Sequence, residues 1–145
     1  MDQRDAEIIM RGVSGMENML AAPFHVQQLS MGSFFSDWLA NFELIPRPKF
    51  VLYSNHDSTL RAVLSALGIF DKVWPPYASH IAMELWEETA TGKHFVAMQY
   101  DGKTKVVRGC GSEFCPFEDF ARLLTSFKTD LCDEPNGSLS LSLML

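Results

Sequence analysis

Hydrophobic residues that recur every three or four positions predict four helices along this chain. The first spans about Ile9 to Leu20, although Gly12 and Gly15 weaken its pattern and Pro23 interrupts it. A second and stronger helix is predicted from about Gln27 to Phe42, where an apolar stripe would face the core. The members of that stripe are Met31, Phe34, Phe35, Trp38 and Phe42.

Two more helices are predicted in the second half of the chain. The third has apolar residues at i, i+3, i+4 and i+7 and ends at Gly68, a residue type that commonly terminates helices. The fourth begins after Pro116, and Glu118 and Asp119 in its first turn complement the helix dipole. The apolar positions are Leu60, Val63, Leu64 and Leu67 in the third helix, and Phe117, Phe120, Leu124 and Phe127 in the fourth.

Strand patterns lie between these helices. Phe50–Tyr53 is a continuous apolar run, which is typical of a strand buried on both faces of a parallel sheet. Apolar residues alternate along Ile81–Trp86, and His94–Tyr100 forms another strand. Asp101 and Gly102 are a hairpin turn signal that leads into Val106 and Val107. Together with the strand–turn–helix unit at 50–67, these elements predict an α/β fold.

Composition and charge narrow the class of protein. The chain has 145 residues, of which 47% are hydrophobic, so one domain with a packed core is expected. Its net charge is −6, and it lacks the clustered Lys and Arg residues of proteins that bind nucleic acid. No apolar run approaches about 18 residues, so no membrane span is predicted, and the charged first residues do not resemble a secretory signal.

The three cysteines leave two interpretations open. An odd number fits either reduced thiols or a disulfide framework in which one cysteine lacks its partner. Cys110 and Cys115 lie on either side of the loop before the fourth helix, so a disulfide between them would clamp the entry to that helix.

The polar residues that follow Phe50–Tyr53 form the best candidate site. His56 and Asp57 lie where a helix begins, and free backbone N–H groups at that point favour an anion. A histidine can donate hydrogen bonds to a phosphoryl oxygen, and an adjacent carboxylic acid can protonate a leaving alkoxide. The alternative is that Asp57 or Ser58 is a helix N-cap and His56 is a loop residue. The dipeptide by itself favours that alternative.

The residues around this dipeptide resemble the histidine acid phosphatases of branch 2 of the histidine phosphatase superfamily. Several motifs occur in the family's order, and the resemblance covers roughly Pro48 to Cys132. The last of these motifs is most similar to the lysophosphatidic-acid phosphatase subgroup. The motifs are LYSNHDSTL at 52–60, LSALG at 64–68, WPPYA at 74–78, EL at 84–85, YDGK at 100–103 and RGC…CPFEDF at 108–120.

The resemblance implies a fold and its boundaries. Residues 48–133 would form the C-terminal part of an incomplete phosphoglycerate-mutase-like domain. A helical segment at 1–47 would precede it, and a tail at 134–145 is expected to be disordered. The implied reaction is hydrolysis of phosphate monoesters at acid pH without a metal or other cofactor. The family is often lysosomal or secreted, but the chain carries no signal that assigns a compartment.

The resemblance also implies roles for individual residues. His56 would bind the phosphoryl group and stabilise it during transfer, and Asp57 would be the general acid. Cys110 and Cys115 would form a local disulfide, and Cys132 would pair with a cysteine that lies earlier in the family. Asn55 stands where the family usually has Ala, which changes the neighbourhood of the dipeptide but not the motif.

One family motif is missing from the sequence. The nucleophile of the family is the histidine of an Arg-His-Gly-x-Arg-x-Pro motif, yet none of the four histidines here follows an arginine. The missing motif and the unpartnered Cys132 both indicate that the N-terminal half of the domain is absent. We therefore expect the chain to be inactive alone, with Phe50–Tyr53 at an exposed sheet edge that allows self-association.

Two other interpretations compete with this one. A metal-dependent phosphohydrolase could use His25, His56, Asp57 and Asp101 in that order, although such folds are helical and a strand is predicted before His56. A non-catalytic role, as a pseudoenzyme or partner-binding isoform, would fit the missing nucleophile. We expect His80 to be structural and the Trp74–Pro76 wall to serve packing.

Overall fold

The computed structural model describes residues 24–129. The predicted helix at Ile9–Leu20, Cys132 and the tail at 134–145 lie outside this part of the chain. The described elements are three helices and four strands, which agrees with the predicted α/β class. In chain order they are α1 (Phe24–Glu43), α2 (Asp57–Ala66), β1 (Ile81–Glu87), β2 (His94–Tyr100), β3 (Lys103–Lys105), β4 (Phe114–Pro116) and α3 (Phe117–Thr125).

The sheet is built around β2, and all its pairings are antiparallel. β1 pairs with β2 along its whole length, from Ile81 opposite Tyr100 to Glu87 opposite His94. On the other side of β2, β3 pairs with its second half and β4 with its first half. The hairpin predicted at Asp101 is present, because Asp101 and Gly102 have φ values of 48° and 71°, as a tight hairpin turn requires. The strand that follows is Lys103–Lys105, which ends before the predicted Val106.

Helix α1 packs against α3, which contacts β2 and β4, and the three parts share an aromatic core. Phe35, Phe120 and Phe127 have no exposed surface. The ring centroids of Phe35 and Phe127 are 5.1 Å apart. Gly32 permits this close approach, since a Cβ there would lie 2.6 Å from the carbonyl oxygen of Phe127. The predicted apolar stripes of both helices are therefore confirmed as core.

Helix α2 ends at the predicted glycine. The N–H of Ile69 donates to the carbonyl of Leu64, and the N–H of Gly68 donates to that of Ser65. This pair of bonds is a Schellman motif, which needs the positive φ of 71° that Gly68 adopts. The guanidinium of Arg108 donates to the carbonyl of Ala66, so a cation also lies at the negative end of the helix dipole.

The disulfide implied by the resemblance is present between Cys110 and Cys115. Cys115 lies on β4 opposite Val96 and is 2% exposed, so the bond ties the loop before α3 to the centre of the sheet. Helix α3 follows at once from Pro116, with Glu118 and Asp119 in its first turn as predicted.

The prediction of a buried strand at Phe50–Tyr53 is wrong. No strand among residues 24–129 pairs with this segment, and Phe50 and Leu52 are 80% and 77% exposed. Tyr53, on the alternate face, packs against α1, where its ring lies 5.3 Å from that of Phe34. A buried parallel strand needs neighbours on both sides and layers on both faces. The described residues supply one helix on one face. We call residues 47–53 the open segment.

Candidate active site

His56 and Asp57 lie where the open segment passes into α2. His56 is the N-cap residue, with an extended backbone at φ −90° and ψ 162°, and its side chain makes no cap hydrogen bond. Asp57 is the first helical residue, and both side chains are exposed. The sequence therefore placed the dipeptide correctly at a helix start.

The backbone N–H groups of the first turn of α2 are largely occupied. The N–H groups of Thr59 and Leu60 both donate to the carbonyl of His56, at 3.0 and 3.1 Å. The N–H of Ser58 donates to Oδ1 of Asp57 at 2.7 Å. An anion at this helix end would therefore compete with the Asp57 carboxylate for the N–H of Ser58, which differs from the expected set of free donors.

The second oxygen of Asp57 is held from another part of the chain. Nε1 of Trp74, in the loop between α2 and β1, donates to Oδ2 of Asp57 at 2.7 Å. The bond from Trp74 is the main cause that lowers the pKa of Asp57, followed by the bond from Ser58 and by the charges of His56 and Arg61. These contacts therefore favour the anionic form of the carboxyl in the absence of substrate.

Arg61 completes this cluster. It lies one turn after Asp57 on α2, and its guanidinium carbon is 4.6 Å from the centre of the Trp74 ring. The sequence interpretation missed Arg61, although its i, i+4 spacing from Asp57 was a usable signal. It also assigned Trp74 to packing, and no local pattern marks a contact between residues 17 positions apart.

A cavity of about 900 Å³ lies beside the dipeptide. It is lined by α1, the open segment, the start of α2 and β1, and Asn55 and Thr59 border it. His56 and Asp57 are not among its lining residues, so they occupy an open surface next to the cavity.

The family model that describes the histidine phosphatase superfamily (branch 2) matches residues 27–101, just over half of the chain. The chain belongs to this superfamily. The match includes most of α1, the dipeptide, the Trp74 loop and the β1–β2 pair.

Three known proteins illustrate what the chain is similar to. Mouse lysophosphatidic acid phosphatase type 6 is 42% identical over 79 residues, which are 54% of this chain and 19% of that protein. Mouse prostatic acid phosphatase is 34% identical over 134 residues, covering 83% of this chain and 34% of its own length. Counting factor 60 of Dictyostelium discoideum is 27% identical over 99 residues, which are 66% of this chain and 23% of that protein. The chain thus spans about a fifth to a third of the length of these relatives.

The structure also places the other candidate groups of this histidine phosphatase chain. The carboxylate of Asp101 accepts hydrogen bonds from the hydroxyl of Ser79 and the backbone N–H of His80, which joins the hairpin turn to the start of β1. His25 lies in the first turn of α1. Within residues 24–129, no three His, Cys, Asp or Glu side chains come together as a metal-binding group. No helix of this part has the length and hydropathy needed to cross a bilayer.

Proposed function

We propose that this chain forms the proton-donating part of an acid phosphatase domain that hydrolyses phosphate monoesters. The position of His56 and Asp57 carries the proposal: the two are adjacent, exposed, at the start of α2 and inside the family match. In this role the imidazole of His56 binds the phosphoryl group. The carboxyl of Asp57 then protonates the leaving oxygen.

The proposed step moves one proton and breaks one bond. As the P–O bond to the leaving group breaks, the proton of Asp57 passes to that oxygen, which gives an alcohol and an Asp57 carboxylate. The phosphoryl group passes to a nucleophile, which the resemblance implies is a histidine preceded by arginine. No Arg-His pair occurs in these 145 residues. Since positioning and charge supply most of phosphoryl-transfer catalysis, we propose that the chain alone turns over negligibly.

The lowered pKa of Asp57 sets a condition on this step. A carboxylate that accepts hydrogen bonds from Trp74 and Ser58 has no proton to give. A phosphoryl dianion placed beside Asp57 would disfavour a second negative charge and raise its pKa, so the proton would be taken up in acid together with substrate.

An activity assay tests the predicted inactivity. Purified chain is incubated with an aryl phosphate from acidic to neutral pH, next to the Asp57→Asn variant. We expect equal rates for the two proteins, both near the uncatalysed rate. Fast hydrolysis that disappears in Asp57→Asn would show that a nucleophile is present after all.

Binding of inorganic phosphate tests the role of His56 separately. Calorimetric titration should detect weak binding at acid pH that is lost in His56→Ala. The matched control is His94→Ala on β2, whose imidazole lies 3.8 Å from Glu87 and away from α2. Equal binding by the chain and its His56→Ala variant would remove His56 from the site.

A second candidate function is non-catalytic self-association through the open segment. The exposure of Phe50 and Leu52, and the lack of a strand partner within residues 24–129, favour it. Sedimentation at several concentrations should show a dimer that a Phe50→Asp/Leu52→Asp double variant abolishes. Tyr77→Asp, at another fully exposed aromatic residue, is the control and should still dimerise. A chain that is monomeric at all concentrations contradicts this candidate.

A further inference from the structure

Trp74 is held by polar contacts in addition to packing. Its side chain is 40% exposed, so burial of the ring alone does not fix its position. The indole N–H donates to Oδ2 of Asp57, and the guanidinium of Arg61 lies over the ring. The indole therefore lies between a cation and a carboxylate that both belong to α2.

The loop that presents Trp74 is fixed at both ends. Before it, the bond from Ile69 to Leu64 closes α2, and Oδ1 of Asp71 accepts from the N–H of Val73 at 3.0 Å. Pro75, next to Trp74, is buried. After it, the carboxylate of Asp101 holds the residues that precede β1. A loop fixed in this way can place one side chain reproducibly.

Arg61 acts on Asp57 through its charge and also contacts the indole that binds Asp57. Its spacing on α2 would allow a direct ion pair, but the described residues show none between the two side chains within 4.0 Å. Nε of Arg61 is buried and has no hydrogen-bond partner in residues 24–129, while the guanidinium carbon lies 4.6 Å from the centre of the Trp74 ring. A cation over the ring polarises the indole and strengthens its N–H as a donor.

We infer that Trp74 is a positioning residue for Asp57, and that Arg61 holds the indole in place. Ser58 fixes one carboxylate oxygen and Trp74 the other, so the orientation of the carboxyl is set before any substrate arrives. The functional meaning of this contact rests on the proposed role of Asp57 as proton donor, whereas the contact itself does not.

Fixing the carboxyl also determines when it takes up a proton. The charged groups that act on it are His56 and Arg61, and the facing loop contributes the neutral indole. All three side chains favour the anionic form of Asp57. The carboxylate would therefore take up a proton chiefly when a phosphoryl dianion lies next to it. Removal of the indole N–H should therefore make protonation easier in the free protein.

The test follows the titration of the Asp57 carboxyl by carbon NMR in the full 145-residue chain. We expect Trp74→Phe, which keeps an aromatic ring but removes the N–H, to shift the titration midpoint upward. The matched control is Trp86→Phe. It removes the other indole-to-carboxylate bond of the described residues, from Trp86 to Glu84 on β1, and should leave Asp57 unchanged. Equal midpoints in Trp74→Phe and the unaltered chain would overturn the inference.

Two further measurements keep the test decisive. In the unaltered chain, the indole N–H resonance of Trp74 should move with the same midpoint as Asp57, which requires no variant; a resonance that does not move contradicts the contact. In Arg61→Met, solvent exchange of that N–H should be faster, and an unchanged rate would remove Arg61 from the arrangement. Failure of phosphate binding with these results intact would reject the proposed function alone.

Discussion

Two regions of the molecule have similar hydrophobic content and very different surroundings. The three strands that flank β2 and the helices α1 and α3 bury residues such as Met98, Phe120 and Phe127 almost completely. In the open segment, Phe50 and Leu52 face solvent. In the first region, the strands pair and the helices pack within residues 24–129. The open segment packs against one helix and pairs with no strand of these residues. Apolar sequence therefore specifies a potential to be buried, and the available partners decide whether burial occurs.

The largest expected effect separates two phenylalanines. Phe35→Ala should lower the free energy of unfolding by about 3–5 kcal/mol, because its ring is fully buried in the aromatic core. Phe50→Ala should change it by less than about 0.5 kcal/mol, because its ring is already exposed. Urea unfolding of both variants measures the difference. A large loss in Phe50→Ala would mean that the open segment is covered in solution.

Gly32 tests the closest approach within the packed region. Gly32→Ala should cost up to about 3 kcal/mol, since the added methyl group would meet the backbone of Phe127, which cannot move aside cheaply. The control is Gly111→Ala, where a Cβ meets nothing within 4 Å. The free energies of unfolding of the two variants should differ by most of that amount, and equal stabilities would contradict the contact between α1 and the residues that follow α3.

The disulfide has the next effect in size. The double variant Cys110→Ser/Cys115→Ser should lower the free energy of unfolding by about 2 kcal/mol. This value corresponds to the chain entropy that a short closed loop removes from the unfolded state. Addition of a reductant to the unaltered chain should reproduce the loss and leave the double variant unchanged. A reductant effect on the double variant would point to another thiol.

The smallest expected effect concerns Asp57, which lies where the open segment meets the packed region. The pKa of Asp57 is lowered in the folded state, chiefly by Trp74, so its contribution to stability is present above its usual pKa. That contribution disappears as pH falls through the lower folded value. Stability of the unaltered chain should therefore decline more steeply below about pH 4 than that of Asp57→Asn. Parallel pH profiles from thermal unfolding would contradict this assignment.

The sequence predicted the elements whose partners are near in the chain. The strands β1 and β2, the Asp101–Gly102 turn after β2 and the end of α2 at Gly68 all follow from local patterns, and each is observed. The strand at Phe50–Tyr53 was predicted from apolar content alone. That prediction was wrong because a strand also needs hydrogen-bonding neighbours, which no pattern within the segment can supply.

For the candidate site, the sequence predicted the location of His56 and Asp57 but not their contacts with distant residues. A turn between apolar segments located His56 and Asp57 at a helix start, and the resemblance supplied their chemical roles. The partner of the Asp57 carboxyl could not be predicted, because the fold of the intervening loop decides which donor reaches it. Arg61 could have been found from helical spacing, but its contact with Trp74 instead of Asp57 could not.

The carboxylate of Asp101 links parts of the molecule that are distant along the chain. It belongs to the hairpin turn between β2 and β3, which lies beside the start of β1, and it anchors the residues where the Trp74 loop ends. The Trp74 loop is therefore fixed at one side by the end of α2 and at the other by the β2–β3 turn. A mutation of Asp101 can therefore weaken the hydrogen bond from Trp74 to Asp57, although Asp101 contacts neither residue.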